Sequence, residues 1–371
     1  MKRLHILADD LTGALDCAAA FGADVPVHLG RPAHPTRQDV DVVATATRDV
    51  AIDQLPAGLT PCLPWLQEAA IAFKKVDSLL RGNTFDEVDW LARQGGYSGL
   101  VMAPAFPSQG RITCAGQQWW TRPGHADSAV AERLSTALAA RGWHISTEAE
   151  RPSWGETPTA WIPDVRSDAD LDPIAALALQ DSGRWLWCGS AGLAHALARQ
   201  RADAPQVEAL ATPHVETGHA LMLVSASHHP VSREQWRQLR QSEWGRDCVQ
   251  GSELLNWQAT AGEGARLFDL AAAEPLSAKQ AAQLLDQQTA LLAERAPRPR
   301  TLVVVGGDTL LALCRALGAQ GLQSETPLNR PGWGCARLRG GRWDGLVCHS
   351  RSGAFGQADD LLAVVAALTT R

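Results

Sequence analysis

Short apolar runs recur along the whole chain, and polar or glycine-rich turns and helical stretches lie between them. In the first half these runs cover residues 4–8, 40–45, 71–76, 100–103, 160–165 and 185–188. Runs of this length that end in turn residues predict buried strands. Because helices alternate with them, the pattern favours parallel βαβ units. We therefore predict an α/β fold in which largely parallel sheets are flanked by helices.

The length of the chain, 371 residues, favours two domains, since one hydrophobic core rarely serves a chain of this size. Residues 201–219 are polar, contain Pro205 and Pro213, and show no sustained period. Apolar runs restart at 220–224, 267–270, 302–305 and 346–348, and Ser232 and Gln235 have capping-box spacing before a helix. We predict domains at 1–205 and 220–371, joined by a linker at 206–219.

The net charge, the cysteines and the apolar segments argue against several classes of protein. A net charge of −6 and a pI near 6.0 argue against general binding to nucleic acid or to an anionic membrane. The eight cysteines are dispersed without the spacing of a zinc or redox site, which favours free thiols in a reducing compartment. Carboxylates interrupt the first apolar run too early for a signal peptide, and no apolar window approaches 18 residues. We expect a cytoplasmic protein.

Two adjacent carboxylates, Asp9 and Asp10, follow the first predicted strand and precede a predicted helix. Ligands of open α/β sheets bind just beyond the carboxyl ends of the strands, which places this pair at the expected site. The alternative is that one of them only caps the helix. Since adjacent carboxylates repel each other and only one can cap, the alternative does not account for both.

Cationic and polar side chains follow the strand at 71–76. Lys75, Ser78, Arg81 and Asn83 could together bind a carboxylate and several hydroxyls. Arginine binds carboxylates through two parallel hydrogen bonds, so Arg81 and Arg48 are candidate carboxylate clamps. The alternative is a surface loop with ordinary ion pairs.

The second half contains two glycine-bearing turns between a strand and a helix. Gly306-Gly307-Asp308-Thr309 leads into a helix at 310–317, and residues 349–356, which include Arg351, precede a helix at 359–368. Helix N-termini present backbone N–H groups that attract phosphate. Although the P-loop and dinucleotide fingerprints are absent, two such turns favour a nucleotide site over simple tight turns.

These halves are chemically complementary. Phosphoryl transfer to a hydroxyl needs positioning, charge stabilisation and an aspartate that accepts the proton. The first half offers acidic acceptors and cationic donors, and the second offers turns suited to phosphate. We infer a kinase whose active site lies in the cleft between two domains.

The chain resembles the four-carbon acid sugar kinases over nearly its whole length. Nine segments carry the resemblance in family order: Ala-Asp-Asp-Leu-Thr-Gly-Ala at 8–14, Thr-Arg at 47–48, Lys-Val-Asp-Ser-Leu-Leu-Arg-Gly-Asn at 75–83, Pro-Ala-Phe-Pro at 104–107 with Gly-Arg at 110–111, Gly-Ser-Ala-Gly at 189–192, Ser-Ala-Ser at 225–227, Gly-Gly-Asp-Thr at 306–309, Pro-Gly at 331–332, and Ser-Arg-Ser-Gly-Ala-Phe-Gly at 350–356.

The resemblance implies an N-terminal domain that binds the sugar acid and a C-terminal domain that binds ATP. It implies transfer of the γ-phosphoryl group to the 4-hydroxyl of D-threonate, D-erythronate or 3-oxo-tetronate, and the Asp-Ser-x-x-Arg-Gly-Asn segment resembles the first two types more. The implied contacts with the sugar acid are Asp9, Asp10, Arg48, Lys75, Asp77, Ser78 and Arg81. The implied contacts with ATP are Ser227, Gly306, Gly307, Asp308, Thr309, Ser352 and Gly353, with Arg351 adding a positive charge beside them.

Several points stay open at this stage. Asp9 or Asp10 would be the catalytic base, Mg²⁺ is expected with ATP but its ligands are not assigned, and the chain could form a homodimer. The partners are a small sugar acid and ATP, with no nucleic acid or membrane. Alternatives are a kinase for another small polyol acid and a two-domain sensor that binds its ligand without catalysis.

Overall fold

The structure is a computed structural model that describes residues 2–32, 38–122, 124–147, 157–181, 185–201, 221–258, 265–325, 333–354 and 356–369. The chain forms two compact units, residues 1–206 and 207–371. The predicted linker at 206–219 lies outside the described residues. None of the helices in the described ranges is both long and apolar enough to cross a membrane.

The first unit contains a parallel sheet and a small antiparallel sheet. The strands of the unit are β1 (Leu4–Ala8), β2 (Pro26–Leu29), β3 (Val40–Ala44), β4 (Ile71–Lys75), β5 (Gly99–Ala103), β6 (Arg111–Cys114), β7 (Gln117–Trp120), β8 (Ser128–Ala129), β9 (His144–Ser146), β10 (Thr159–Trp161) and β11 (Trp185–Gly189). The parallel sheet has the order β2-β3-β1-β4-β11-β5-β10-β9, and β6, β7 and β8 form the antiparallel sheet.

Helices connect these strands. They are α1 (Leu11–Ala20), α2 (Leu55–Leu59), α3 (Leu63–Gln67), α4 (Thr84–Gln94), α5 (Leu134–Ala139), α6 (Leu171–Gln180) and α7 (Ala191–Gln200). The connection after β1 runs through α1 to β2 on one side of the sheet order, whereas the connection after β4 runs through α4 to β5 on the other side. The carboxyl ends of the neighbouring strands β1 and β4 therefore border a topological switch point, where α/β sheets bind their ligands.

The second unit is a mixed sheet with four helices among its described residues. Its strands are β12 (Leu221–Ser225), β13 (Cys248–Gln250), β14 (Arg266–Asp269), β15 (Thr301–Val305), β16 (Gly321–Ser324), β17 (Gly334–Arg339) and β18 (Val347–Arg351), and its helices are α8 (Pro230–Gln241), α9 (Ala278–Arg295), α10 (Gly307–Ala316) and α11 (Asp360–Thr369). The order is β13-β14-β12-β15-β18-β17-β16, parallel from β13 to β18, with β17 antiparallel to both of its neighbours.

A second switch point lies in this unit. The chain leaves β12 through α8 towards β13, and it leaves β15 through α10 towards β16 at the opposite end of the sheet order. The carboxyl ends of β12 and β15 are adjacent, since Ser225 is the register partner of Val305. The turns that follow these two strands are therefore neighbours.

The predicted α/β class with largely parallel sheets is confirmed. Five tryptophans, at 161, 185, 187, 236 and 343, are among the largest fully buried side chains, so much of the high tryptophan content serves packing.

The apolar pattern of the sequence is a poorer guide to the segment before α5. The stretch 129–140 is not one helix, because residues 128–129 form β8 and α5 begins only at Leu134.

The expected capping box at Ser232 and Gln235 is wrong. Helix α8 begins at Pro230, and the ring of His229 caps it by accepting a hydrogen bond from the backbone N–H of Val231. Ser232 and Gln235 lie inside the helix and are buried. Their side chains bond to the C-terminal turn instead.

Candidate functional site

The first candidate site is built around a guanidinium that contacts two adjacent carboxylates after β1. Arg48 donates from Nε and Nη2 to both oxygens of Asp9, at 2.9 and 3.0 Å, and from Nη2 to Asp10 Oδ1 at 2.7 Å. Asp10 is also the N-cap of α1, since its Oδ1 accepts the N–H of Gly13 at 3.1 Å. One aspartate caps the helix, as the capping alternative required, while the other binds Arg48.

A second arginine–aspartate pair lies after β4, the neighbouring strand. Arg81 donates from Nε and Nη2 to the two oxygens of Asp77 at 2.8 and 2.7 Å. Asp77 Oδ2 also accepts the backbone N–H groups of Leu79 and Arg81, both at 3.2 Å. Arg48 Nη2 lies 3.8 Å from Asp77 Oδ1. Arg48 therefore links the carboxylates that follow the two central strands of the unit.

Lysine side chains leave β4 on opposite faces of the sheet. Lys74 forms a buried ion pair with Glu87 of α4, at 2.5 Å. Lys75 lies on the face of α1, because a Cβ built on Gly13 would lie 2.6 Å from its Nζ and 2.5 Å from Asp10 Oδ1. Gly13 thus allows an ammonium and a carboxylate to approach the first turn of α1 together.

The short distances between these opposite charges shift the pKa values of the side chains. Burial opposes the charge of Asp9 and Asp77, but Arg48 lowers the pKa of Asp9 and hydrogen bonds from Arg81 lower that of Asp77, so both net shifts are downward. Burial likewise opposes the charge of Lys75, yet the Asp10 and Asp9 carboxylates raise its pKa above the ordinary value. Asp9, Asp77 and Lys75 therefore remain charged at neutral pH.

The backbone of the Arg48 loop is held by the segment after β4. Asn83 donates its amide N–H groups to the carbonyl of Val50 at 2.8 Å and to those of Thr47 and Arg48 at 3.3 and 3.4 Å. Gly82 has φ of +73°, and a Cβ there would lie 2.4 Å from the Arg48 carbonyl oxygen. Asn83, expected to bind a ligand, instead uses its amide to position Arg48.

The small antiparallel sheet supports the same segment. Gln118 of β7 is fully buried and donates from Nε2 to the backbone carbonyls of Ser78 at 3.0 Å and Pro104 at 3.3 Å. Thr113 of β6 fixes the Gln118 amide by donating to its Oε1 at 2.7 Å. Ser78 is therefore tied to the sheet through its backbone, while its side chain is partly exposed. Sequence reasoning missed Gln118, because a lone glutamine in a short strand has no distinctive pattern.

In the second unit, the turns after β12 and β15 contact each other directly. The backbone N–H of Ala226 donates to Thr309 Oγ1 at 3.3 Å. Helix α10 begins at Gly307, and its N-cap Gly306 has φ of +110° and no side chain that caps the helix. The first turn of α10 thus presents backbone N–H groups beside the Ser225-Ala226-Ser227 turn. Asp308 is exposed there, and Thr309 is buried.

The turn after β18 completes this second candidate site. A Cβ on Gly353 would lie 2.2 Å from Ser227 Oγ, so Gly353 and Ser227 are in close contact. Ser232 Oγ donates to the Gly353 carbonyl at 2.8 Å, and Gln235 Nε2 donates to the Gln357 carbonyl at 2.7 Å. The inner face of α8 therefore holds the C-terminal turn against Ser227.

Arg351 is a buried residue at the start of this turn and contacts side chains from three other segments. It is only 3% exposed, its Nη1 lies 3.2 Å from Asp360 Oδ2, and its Nη2 donates to Gln235 Oε1. Its guanidinium also lies 4.6 Å from the centre of the Trp333 ring. These partners hold the guanidinium within the protein. A direct contact between Arg351 and ATP stays a prediction.

Each predicted set of ligand contacts thus converges within its own unit. The expected site between the two domains stays a prediction. Pro331, Gly332 and Phe355, parts of two motifs, lie outside the described residues. Among the residues that are described, no group of three or more His, Cys, Asp and Glu side chains is arranged to hold a metal ion.

Comparison with known proteins supports the resemblance predicted from the sequence. A family model described as a sugar-binding N-terminal domain matches residues 4–141. A D-threonate kinase from Bordetella bronchiseptica is 27% identical, over 99% of this chain and 98% of the relative. A D-threonate kinase from Cupriavidus necator is 32% identical over 60% of each chain. The resemblance to the four-carbon acid sugar kinases is thereby confirmed. These relatives are named kinases, which are phosphotransferases that act on hydroxyl groups.

A solved structure supports the fold of this chain. A protein from Salmonella typhimurium LT2 superposes with a TM-score of 0.73 at 20% identity, over 98% of this chain and 99% of the other. At this level of identity the likeness establishes a shared fold.

Replacement of Gly82 by alanine tests whether the Arg48 loop depends on close contact with the segment after β4. Gly96→Ala is the matched control, since Gly96 has a similar φ of +66° with no heavy atom within 4 Å of a built Cβ. Each alanine costs roughly 1–2 kcal/mol for the left-handed conformation. We expect only Gly82→Ala to displace Arg48 as well, lowering kinase activity by up to about 100-fold. Equal thermal stability and equal activity of the two variants would contradict this role.

Proposed function

We propose that this protein is an ATP-dependent kinase that phosphorylates the 4-hydroxyl of D-threonate or D-erythronate. The observation that supports the proposal most is that each unit has a switch point and that the two switch points differ in chemistry. One is rich in charged side chains and suits a small hydroxy acid. The other consists of glycine-bearing turns and an uncapped helix N-terminus, and suits phosphate groups. Relatives named D-threonate kinase that align over nearly the whole chain support D-threonate, and a relative named D-erythronate kinase aligns over 31% of the chain.

Asp10 is the better of the two candidates for the catalytic base. Asp9 accepts two hydrogen bonds from Arg48, and its side chain is 4% exposed. The Asp10 side chain is 15% exposed and receives one hydrogen bond from Arg48, with the others from the Gly13 N–H and the Thr12 hydroxyl, so its greater exposure is what favours it. In the proposed reaction the substrate hydroxyl oxygen attacks the γ-phosphorus, the bond to the β–γ bridging oxygen breaks, ADP leaves, and Asp10 accepts the hydroxyl proton.

The nucleotide would occupy the crevice between the turns after β12 and β15. The first turn of α10 would donate N–H groups to the phosphates, and the close packing of Gly353 on Ser227 would bound the same crevice.

Mg²⁺ would arrive with ATP in this proposal. It typically binds one or two carboxylates together with the phosphates, and no larger cluster of ligands lies among the described residues. Asp308 is the carboxylate in the glycine-bearing turn. Bound Mg²⁺ would neutralise phosphate charge.

A coupled assay of ADP release tests this function. The purified full chain should release ADP only when ATP, Mg²⁺ and a four-carbon sugar acid are all present. D-threonate and D-erythronate should be better acceptors than 3-oxo-tetronate or sugar acids of other chain lengths. A folded protein that binds a tetronate but releases no ADP with any of these acceptors would contradict the kinase and favour a ligand sensor.

Asp10→Asn separates the proton-accepting role of Asp10 from its role as helix cap. Asparagine caps helices as well as aspartate does, so α1 should keep its stability. Loss of the proton acceptor should lower kcat by about 100- to 10,000-fold, with a much smaller change in the KM for ATP. Asp16→Asn, an exposed change on the same helix, is the control and should leave kcat unchanged. A kcat for Asp10→Asn within twofold of the parent would remove Asp10 as the base.

A further inference from the structure

The two arginines expected to clamp the substrate carboxylate already have carboxylate partners. Arg48 uses Nε and Nη2 on Asp9, and Arg81 uses Nε and Nη2 on Asp77. The Nε–Nη2 edge of a guanidinium is one that matches the two oxygens of a carboxylate. The edge best placed for a carboxylate is thus already used in both arginines, so a substrate carboxylate would bind their remaining Nη1 side or use a different cation.

Arg111, the first residue of β6, is a cation to which the described residues provide no carboxylate partner. Its Nη1 donates to the Gln109 backbone carbonyl at 2.7 Å and lies 3.5 Å from the Gln109 side-chain oxygen. Its Nε is buried and has no hydrogen-bond partner among the described residues. An unsatisfied buried donor on a charged group is costly, so it indicates a position for an acceptor.

Strand geometry directs Arg111 towards the sugar-acid site. Alternate residues of a strand share a face, so Arg111 lies on the same face as Thr113, and its register partner Trp120 lies on the same face as Gln118. Gln118 is the residue that bonds the backbone of Ser78. The face that carries Arg111 is therefore the face in contact with the segment after β4.

Local structure holds Arg111 in that position. Its backbone N–H and carbonyl both bond to Phe106, at 3.1 and 2.8 Å. Its guanidinium lies 5.5 Å from the centre of the Trp120 ring. Burial lowers the pKa of Arg111, and the charges of Asp77 and Arg81 act on it in opposite directions, as expected of a group near that pair. Arg111 stays cationic, since arginine does not lose its proton in proteins.

We propose that Arg111 binds the carboxylate of the sugar acid, and thereby makes the kinase specific for hydroxy acids over neutral polyols. The inference rests on the proposed function, because it assumes an acidic acceptor. In this arrangement Arg48 and Arg81 order the aspartates that accept the substrate hydroxyls. Arg111 supplies the positive charge that recognises the acid end of the same molecule.

Steady-state kinetics of Arg111→Gln, with Arg111→Lys as the conservative variant, test this role. We expect Arg111→Gln to raise the KM for the tetronate roughly 10- to 100-fold, as the loss of a charged hydrogen bond implies, and to leave the KM for ATP unchanged. Arg111→Lys should recover part of the loss, because the charge remains without the two-pronged geometry. Arg122→Gln is the matched control, since Arg122 is exposed and lies 4.2 Å from the centre of the same Trp120 ring.

Carboxamide analogues of the same acids distinguish recognition of the carboxylate from a structural role. The parent should bind the acid more tightly than the amide in competition assays, and Arg111→Gln should lose most of that preference. If Arg111→Gln leaves the KM for the acid within twofold of the parent, or raises the KM values of acid and ATP equally, the inference is wrong. If the parent transfers no phosphoryl group to any tetronate, the proposed function itself fails.

Discussion

The interaction on which the first site depends is the contact of one largely buried guanidinium with several carboxylates. Asp9 and Asp10 are adjacent in the chain and would repel each other without a cation between them. Arg48 bonds to both and approaches Asp77 from the neighbouring strand. Because the net shift of each affected pKa favours the charged form, the site keeps several charges in a partly buried place. Such a site holds its charged groups in fixed positions, which is the preorganisation that the proposed binding of a hydroxy acid would use.

Both units place their functional turns by the same topological rule. In each sheet two neighbouring parallel strands send their helices in opposite directions, which opens a crevice at their carboxyl ends. The side chains at the two crevices differ in chemistry. One crevice has charged residues from turns after β1, β3 and β4, and the other has backbone donors and small residues after β12, β15 and β18. A kinase needs these two kinds of surface, one for the acceptor and one for the nucleotide.

Much of this was predictable from the sequence because the signals are local. The first apolar run ends at Ala8, as does β1, because the chain bends at Asp9 and Asp10 before α1 begins at Leu11. The glycine pair at 306–307 marks the start of α10, because only glycine readily adopts φ of +110° at the cap. The fold class and the strand-end positions of the candidate residues follow from such features, and solved structures with the same fold support the fold class.

The rest depends on contacts between distant segments. Nothing near Asn83 or Gln118 shows that their amides bond to backbone carbonyls of other loops. Ser232 and Gln235 fit a local capping motif, but contact with the C-terminal turn overrides it. The orientation of Arg351 likewise depends on Asp360 and on Trp333 from another strand connection. These contacts join segments that are distant in the chain, so they cannot be predicted from local patterns in a single sequence.

Hydrogen–deuterium exchange of the full chain, with each ligand added separately, tests the central claim that the two crevices bind different ligands. A tetronate alone should slow amide exchange at residues 9–14 and 77–83. A non-hydrolysable ATP analogue with Mg²⁺ should slow exchange at residues 226–229, 306–310 and 352–354. Protection by the nucleotide at the first set, or by the acid at the second, would contradict the assignment of the two sites.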